Sequence, residues 1–404
     1  MGHILTFLRG NARWLSAGVL LTFLSSFGQT FFISVFSGEI RQAFDLSHGA
    51  WGGIYTLGTT VSAGLMLWAG ALTDRYRTRA LGVLVLGGLA LACLAMATAQ
   101  AAWLLPLVIL GLRFFGQGMV SHLAIVSMSR WFVATRGKAL SVAGLGFALG
   151  EAILPLTFVS LMLIFDWRWL WIVAALIALA GIPVLRALLR EERTPQSHAE
   201  TDQSLGMENR HWTRPDVLRH WLFWFMVPAL LGPSAFNTAF FFQQVHFASV
   251  KGWDHIQLVA LFPIYTAIAV AAMVGSGWLL DRLGTPRILP WYQLPMVAAF
   301  GCFALGQSLF WAFAGLVCLA ITTGANSTLP NAFWAEFFGT RHLGAIKAMA
   351  MAVMVLGSAI GPGMTGVLID AGLGIETQFL GIAAYFVFTT TMMAIGVRAA
   401  AKSL

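Results

Sequence analysis

The chain has 404 residues, 58% of them hydrophobic and only 10% charged, with a mean hydropathy of +0.79 and a formal net charge of +8. A soluble domain carries about 25% charged residues, so the composition excludes a soluble enzyme or binding module and points to a lipid bilayer. Continuous apolar runs, with no ten-residue stretches of alternating polarity, exclude a membrane barrel and leave helices of about 20 residues.

Twelve such runs follow one another: 13–37, 50–70, 80–99, 103–128, 138–163, 168–189, 220–248, 256–280, 288–308, 310–334, 346–370 and 377–397. The first is too long for a signal peptide and lacks a small-residue cleavage site, so it is read as a span. Residues 190–219, from Arg190-Glu-Glu-Arg-Thr-Pro onward, are charged and nearly free of apolar runs. They read as a cytoplasmic linker between two six-helix bundles, 1–189 and 220–404. With the N-terminus inside, twenty of the 24 Lys and Arg fall on the inner side. Arg41, Arg168 and Lys251 fall outside and Arg113 within a span. The asymmetry obeys the positive-inside rule and predicts an inner (plasma) membrane protein with both termini cytoplasmic. The net charge is then topological, and no nucleic-acid partner is expected. Cys93, Cys302 and Cys318 lie in spans without metal spacing and read as apolar fillers.

The halves echo each other. Gly70-Ala-Leu-Thr-Asp74-Arg75 after span two recurs as Gly277-Trp-Leu-Leu-Asp281-Arg282 after span eight, an offset of 207. Gln29-Thr30 pairs with Asn237-Thr238, and Arg136 with Arg341. Parallel repeats of this kind are a transporter signature, with the substrate site near mid-membrane.

The segment Gly70 to Arg79, and its second copy Asp281-Arg282-Leu-Gly284-Thr-Pro-Arg287, resemble the loop-two signature of the major facilitator superfamily. Gly111-Leu-Arg113-Phe-Phe-Gly116-Gln117-Gly118 is similar to its Arg-x-x-x-Gln-Gly pattern, and Gly357-Ser-Ala-Ile-Gly361-Pro362 in span eleven adds to the likeness. The resemblance spans the whole chain. It implies an all-α membrane fold of twelve helices in two pseudo-symmetric bundles, a secondary transporter without cofactor or metal, and a monomer sufficient for function. It also implies that Asp74, Arg75, Arg136, Asp281, Arg282 and Arg341 act as inner-side gates, with Gly70 and Gly277 allowing close helix approach. The run Arg130-Trp-Phe-Val-Ala-Thr-Arg136-Gly-Lys138, with Gly144, Gly150 and Pro155, looks like the span-four to span-five region of monocarboxylate and oxalate:formate transporters. Span eight, Leu-Phe-Pro263-Ile-Tyr265-Thr-Ala, lacks the charged pair of the monocarboxylate carriers.

The glycines of Ala143-Gly-Leu-Gly-Phe-Ala-Leu-Gly-Glu151 invite a phosphate-loop reading. It fails, because they lie inside an apolar helix with no P-loop Lys-Ser or Lys-Thr. Helical spacing puts Gly144, Ala148, Glu151 and Pro155 on one face of small residues. Glu151 and Arg113 are ionisable at membrane depth, where charges cost roughly 2.5 to 3.5 kcal/mol and mark a pathway or a pair. One reading is a buried ion pair between them that sets packing. The other makes Arg113 the bidentate partner of an anionic substrate, with Gln117 one turn along, and Glu151 the proton carrier. Gln29 in span one, Asn237 and Gln244 on one face of span seven, and Asn326 join as substrate-contact candidates, for each of which an interhelical hydrogen bond is the plainer role; Tyr265 could bond a carboxylate, with packing or interface anchoring as its plainer role. His122 reads as a packed or interfacial histidine, and His246 as a solvated or pH-sensing one. The expected function is proton-coupled transport of a small organic anion such as a monocarboxylate. The alternative is efflux of a drug-like compound, against which span five has Gly150-Glu151 where the antiporter signature has Gly-Pro. A non-transporting sensor lacks a soluble signalling domain.

Overall fold

The structure, a computed structural model, describes residues 2–404 except 71, 133, 134, 192–204 and 340; the side chains of residues 2–5, 74, 136, 281, 343–345 and 348 are not among those described. Among the described residues there are helices and turns but no strands. Numbered by span, α1 is Ala12–Gly28 with Thr30–Ala43, α2 His48–Ala69, α3 Thr78–Thr98, α4 Ala102–Trp131, α5 Arg136–Met162 and α6 Trp167–Leu188. Then come α7 Trp221–Phe242, α8 Phe262–Leu283, α9 Leu294–Leu305, α10 Leu309–Asn326, α11 Leu343–Asp370 and α12 Ile375–Ala400. Ten of the described helices are long and apolar enough to cross a membrane, and eleven when the bent pair of α1 is counted as one span. The remaining long helix is α2, whose 22 residues are diluted by Gly, Thr and Ser. Every expected span is thus helical.

The chain divides into two compact units: Met1–Leu46 with Gly53–Glu200, and Ser47–Gly52 with Thr201–Leu404. In the first, α5 packs along α1 and α6 along α3. The α1–α5 contact depends on glycine. A Cβ on Gly146 would lie 2.0 Å from the Val19 carbonyl oxygen, and one on Gly150 2.0 Å from Ser26 Oγ, whereas one on Gly144 would meet nothing within 4 Å. The close-packing face of α5 therefore runs through Gly146 and Gly150, not through Gly144 as helical spacing alone suggests. Phe32 anchors an edge-to-face cluster with Phe27, Phe158 and Trp171.

In the second unit, α7 packs on α11, where a Cβ on Gly361 would sit 2.2 Å from the Ala235 carbonyl oxygen. Stacked Phe240 and Phe303, with Phe300 over Phe386, fill the space toward α9 and α12. Residues 192–204 of the expected linker lie outside those described, but its later part is built into this unit. Met207 and Trp212 are buried in the core cluster, and Trp212 N–H donates to the Phe338 carbonyl. The two aromatic faces of Trp212 and its apolar neighbours are worth burying even in a charged stretch. The first turn of α2 also belongs here: the Asp370 carboxylate accepts from the amides of His48 at 3.1 Å and Gly49 at 2.7 Å, capping the helix.

The three basic residues assigned to the outer side all hold backbone carbonyls. Arg168 Nη1 donates to Ala97 and Ala99 at the end of α3, Lys251 Nζ to Ala304 at the end of α9, and Arg41 Nε to Leu46. Ala97 and Ala304 are separated by the same 207 residues as the loop-two motifs. The two halves thus satisfy the same pair of orphan carbonyls with cations from different elements.

Candidate functional site

Span one does not run through. At Gln29 the backbone is extended (φ −87°, ψ 154°), and the segments either side meet at 48°. Ser25–Gly28, just before the break, has tightened to a 3₁₀ turn. The small and polar run Ser25-Ser-Phe-Gly-Gln-Thr30 explains why the helix gives way here. In α4, Leu112–Val120 widens to a π-helix. The two irregular segments touch: a Cβ on Gly28 would lie 2.1 Å from the Leu112 carbonyl oxygen and 2.7 Å from Gly116 Cα, and one on Gly116 2.6 Å from Gly28 Cα. Only glycine fits at either position. Broken spans and π-turns recur where membrane transporters hold their substrates.

Arg113 stands in the π-helical segment and is 1% exposed. Its Nη1 donates to the Gly28 carbonyl oxygen at 3.1 Å and to Thr30 Oγ1 at 3.4 Å. Its guanidinium carbon lies 5.3 Å from the centre of the Tyr55 ring, and the Tyr55 and Thr30 hydroxyls bond to each other. The Gly28 carbonyl precedes the extended residue, where the helical bonding pattern is interrupted, and Arg113 supplies it with a donor. Nε of Arg113 is buried with no partner among the described residues. The Arg113–Glu151 ion pair weighed from the sequence is not among these contacts. The reason is geometric: the break in α1 brings a backbone acceptor and a hydroxyl to the guanidinium from 85 and 83 residues away.

Glu151 is half-buried on α5, beside Gly150 with its contact to Ser26 and one turn beyond Phe147, whose ring meets Phe31 at 5.6 Å. Gln29 and Gln117 are half-buried as well. The Gln117 backbone nitrogen is 2.8 Å from where a Gly28 Cβ would sit. The first unit therefore gathers Arg113, Gln117, Gln29, Thr30 and Tyr55 around the break in α1. Thr30 stands in the sequence echo beside Gln29, but Gly28 and the π-turn belong to no motif; the trace of the break is the small, polar run Ser25–Thr30 within span one.

In the second unit the expected contact residues part company. Asn237 is half-buried and its Oδ1 has no partner among the described residues. Gln244 does not share a face of α7 with it, because α7 ends at Phe242 and a separate helix, Gln244–Lys251, begins after Gln243. Gln244 is buried and bonded to His255 Nε2 at 3.2 Å. Tyr265 is buried and donates to Thr323 Oγ1 at 3.3 Å. Asn326 accepts from Tyr292 at 3.1 Å, in a network that continues through Gln293 to Thr389. These three side chains are committed to internal bonds; Asn237 keeps an open acceptor.

Of the residues expected from the sequence to gate, the side chains of Asp74, Arg136 and Asp281 lie outside those described. Arg75, Arg282 and Arg341 are exposed, and Arg282 covers the Trp278 ring at 3.9 Å. Gly277 makes only an ordinary contact, its Cβ position being 3.8 Å from Thr328, so close approach does not require glycine there. Arg130 donates to the Thr73 carbonyl at 2.7 Å and so ties the end of α4 to the loop-two turn. His122 is half-buried beside Gly70. The His246 ring meets that of His48 at 4.2 Å.

The family model described as the Major Facilitator Superfamily matches residues 18–362. Among solved structures, a bacterial homolog of the human lysosomal transporter Spinster, captured inward-facing and unoccupied, aligns with a TM-score of 0.72 and 16% identity over 97% of this chain and 98% of that one. The nucleoside transporter NupG aligns with a TM-score of 0.68 and 13% identity over 96% and 99%. At these identities the likeness is one of fold. No curated protein gives a significant match. The match over residues 18–362, with the helical architecture, means that the chain belongs to the major facilitator superfamily and is a membrane transporter, not an enzyme.

Proposed function

We propose that this transporter moves a small organic anion, with a monocarboxylate as the leading candidate, together with a proton by alternating access. One observation carries the reading. Arg113 is a buried cation whose Nε has no partner, and whose contacts include no carboxylate, among the described residues. A guanidinium cannot shed its proton to escape burial, so its counter-charge has to arrive from elsewhere, and a substrate carboxylate matches its planar fork. Gln117 and Gln29, in the same unit, add amide contacts beside it. Glu151 carries the proton: a carboxyl at membrane depth exchanges protons as neighbouring charge arrives and leaves. The gates are the loop-two residues Asp74, Arg75, Asp281 and Arg282 with Arg136 and Arg341. The protein sits in the inner (plasma) membrane with both termini cytoplasmic and works as a monomer.

The test uses purified protein in liposomes with an internal pH dye and a panel of small carboxylates. A carboxylate should drive proton movement in the wild type. Arg113→Lys, which keeps the charge but loses the fork, should raise the half-saturating concentration at least about tenfold, and Glu151→Gln should uncouple protons while leaving substrate binding intact. Full proton coupling in Glu151→Gln, or unchanged saturation in Arg113→Lys, sinks the scheme.

A further inference from the structure

Between α3 and α4 of the first unit lies a cavity of about 430 Å³, inside the size range of ligand sites. Gly88, Ala92, Ala95 and Ala99 line it from α3 at helical spacing, with Gly111 and Phe115 from α4. Thr98 is the one polar residue among the described lining residues, and its hydroxyl turns back to donate to the Leu94 carbonyl at 2.8 Å. Leu91 and Leu107 line the cavity too and are 68% and 61% exposed. It is therefore an apolar groove that opens away from the protein, on helices long and apolar enough to cross the membrane. Its deep end is closed: a Cβ on Gly88 would lie 2.4 Å from Phe115 Cε1, and one on Gly111 3.1 Å from Ala92 Cβ.

The length of the groove and the chemistry of its mouth select an occupant. Gly88 and Ala99 are eleven residues apart, about 16 Å at the helical rise, and α3 ends at Thr98. The groove thus runs from the membrane surface to about the middle of a 30 Å hydrocarbon core, the depth of one leaflet. A helix from a second copy would pack along the whole span, but one turn past Gly88 the same face of α3 carries Leu84, 68% exposed. An acyl chain needs one leaflet only. At the mouth, Arg168 Nη1 donates to the Ala97 and Ala99 carbonyls at 2.9 and 2.6 Å, and its guanidinium carbon lies 4.5 Å from the centre of the Trp167 ring. Trp103, 71% exposed, adjoins the lining residue Leu104. Asp166 caps the same turn as Arg168, accepting from its amide at 2.9 Å. Indoles and charges at the end of a span stand at headgroup level. We propose that this groove binds one acyl chain of a phospholipid, with the headgroup phosphate beside Arg168 and the chain end against Phe115.

The test is native mass spectrometry of the purified full-length protein in detergent, with dioleoyl phosphatidylethanolamine as the probe, its phosphate and ammonium matching Arg168 and Asp166. The lipid should stay bound through detergent exchange, and dioleoylglycerol, with the same chains but no phosphate, should bind about fivefold more weakly. Ala95→Trp, which puts an indole into the groove, should lower retention at least about tenfold, while Leu84→Trp, on the same helix face beyond the closed end, should leave it unchanged. Wild-type retention in Ala95→Trp, equal loss in both variants, or equal binding of dioleoylglycerol would each overturn the proposal. So would a dimer that forms in place of the lipid complex and dissolves in Ala95→Trp, which would make a second copy the occupant. If Ala95→Trp melts earlier than wild type, photolabelling of the unaltered protein decides. Phosphatidylethanolamine with a diazirine at the chain end should label residues 88–92 and 111–115, and labels spread over the exposed faces of all the spans would overturn the site.

Discussion

Replacing Arg113 with methionine separates a working cation from a structural one. The substitution removes a charge-assisted bond to the Gly28 carbonyl at 3.1 Å, worth about 1.5–3 kcal/mol. It also removes a cation–π contact with Tyr55 at 5.3 Å, worth about 0.5–2 kcal/mol. The bond to Thr30 at 3.4 Å is long, and Thr30 keeps its bond to Tyr55. The loss is thus about 2–5 kcal/mol. Against it stands the cost of holding a cation at 1% exposure with no carboxylate beside it among the described residues, itself several kcal/mol. The two nearly cancel, and methionine fills the space with a flexible apolar chain. Arg113→Met should therefore melt within about 1 kcal/mol of wild type while losing carboxylate binding altogether. Thermal unfolding followed by tryptophan fluorescence in detergent, beside substrate binding by calorimetry, gives both numbers. A loss of more than about 3 kcal/mol in stability, with binding surviving in the fraction still folded, would refute the reasoning and make Arg113 a staple for the break in α1.

Two further substitutions test the packing. Gly146→Ala places a methyl against the Val19 carbonyl oxygen at 2.0 Å and Phe23 N at 2.9 Å, both backbone atoms, and should cost about 1–3 kcal/mol or more; Gly144→Ala meets open space and should stabilise α5 by up to about 1 kcal/mol. Equal melting temperatures for the two variants would contradict the assigned face. Glu376→Gln leaves Lys251, whose side chain is fully buried, without its carboxylate partner. The cost should be about 2–3 kcal/mol, below that of a fully buried pair because Glu376 is 40% exposed. Adding Lys251→Met should recover most of it, and a double variant no more stable than Glu376→Gln would show that the charge was not the cause.

Apolar run length, the placement of Lys and Arg, and the 207-residue echo by themselves determined the membrane class, the twelve helices and the twofold plan, because hydropathy and charge act on each segment independently of its neighbours. They also singled out Arg113 and Glu151, since an ionisable residue in an apolar run stands out wherever it is. What those two residues touch was decided by tertiary structure. The acceptor for Arg113 is a backbone carbonyl 85 positions away, exposed only because span one breaks at Gln29. No side-chain pattern encodes an acceptor of that kind. The face of α5 was misjudged for a related reason: Gly144 and Gly146 are equivalent in composition, and only the position of α1 shows that Gly146 is the one in contact. Likewise Asn237, Gln244, Tyr265 and Asn326 look alike as polar residues in apolar spans. Which of them is satisfied internally depends on His255, Thr323 and Tyr292, neighbours that only the folded chain supplies.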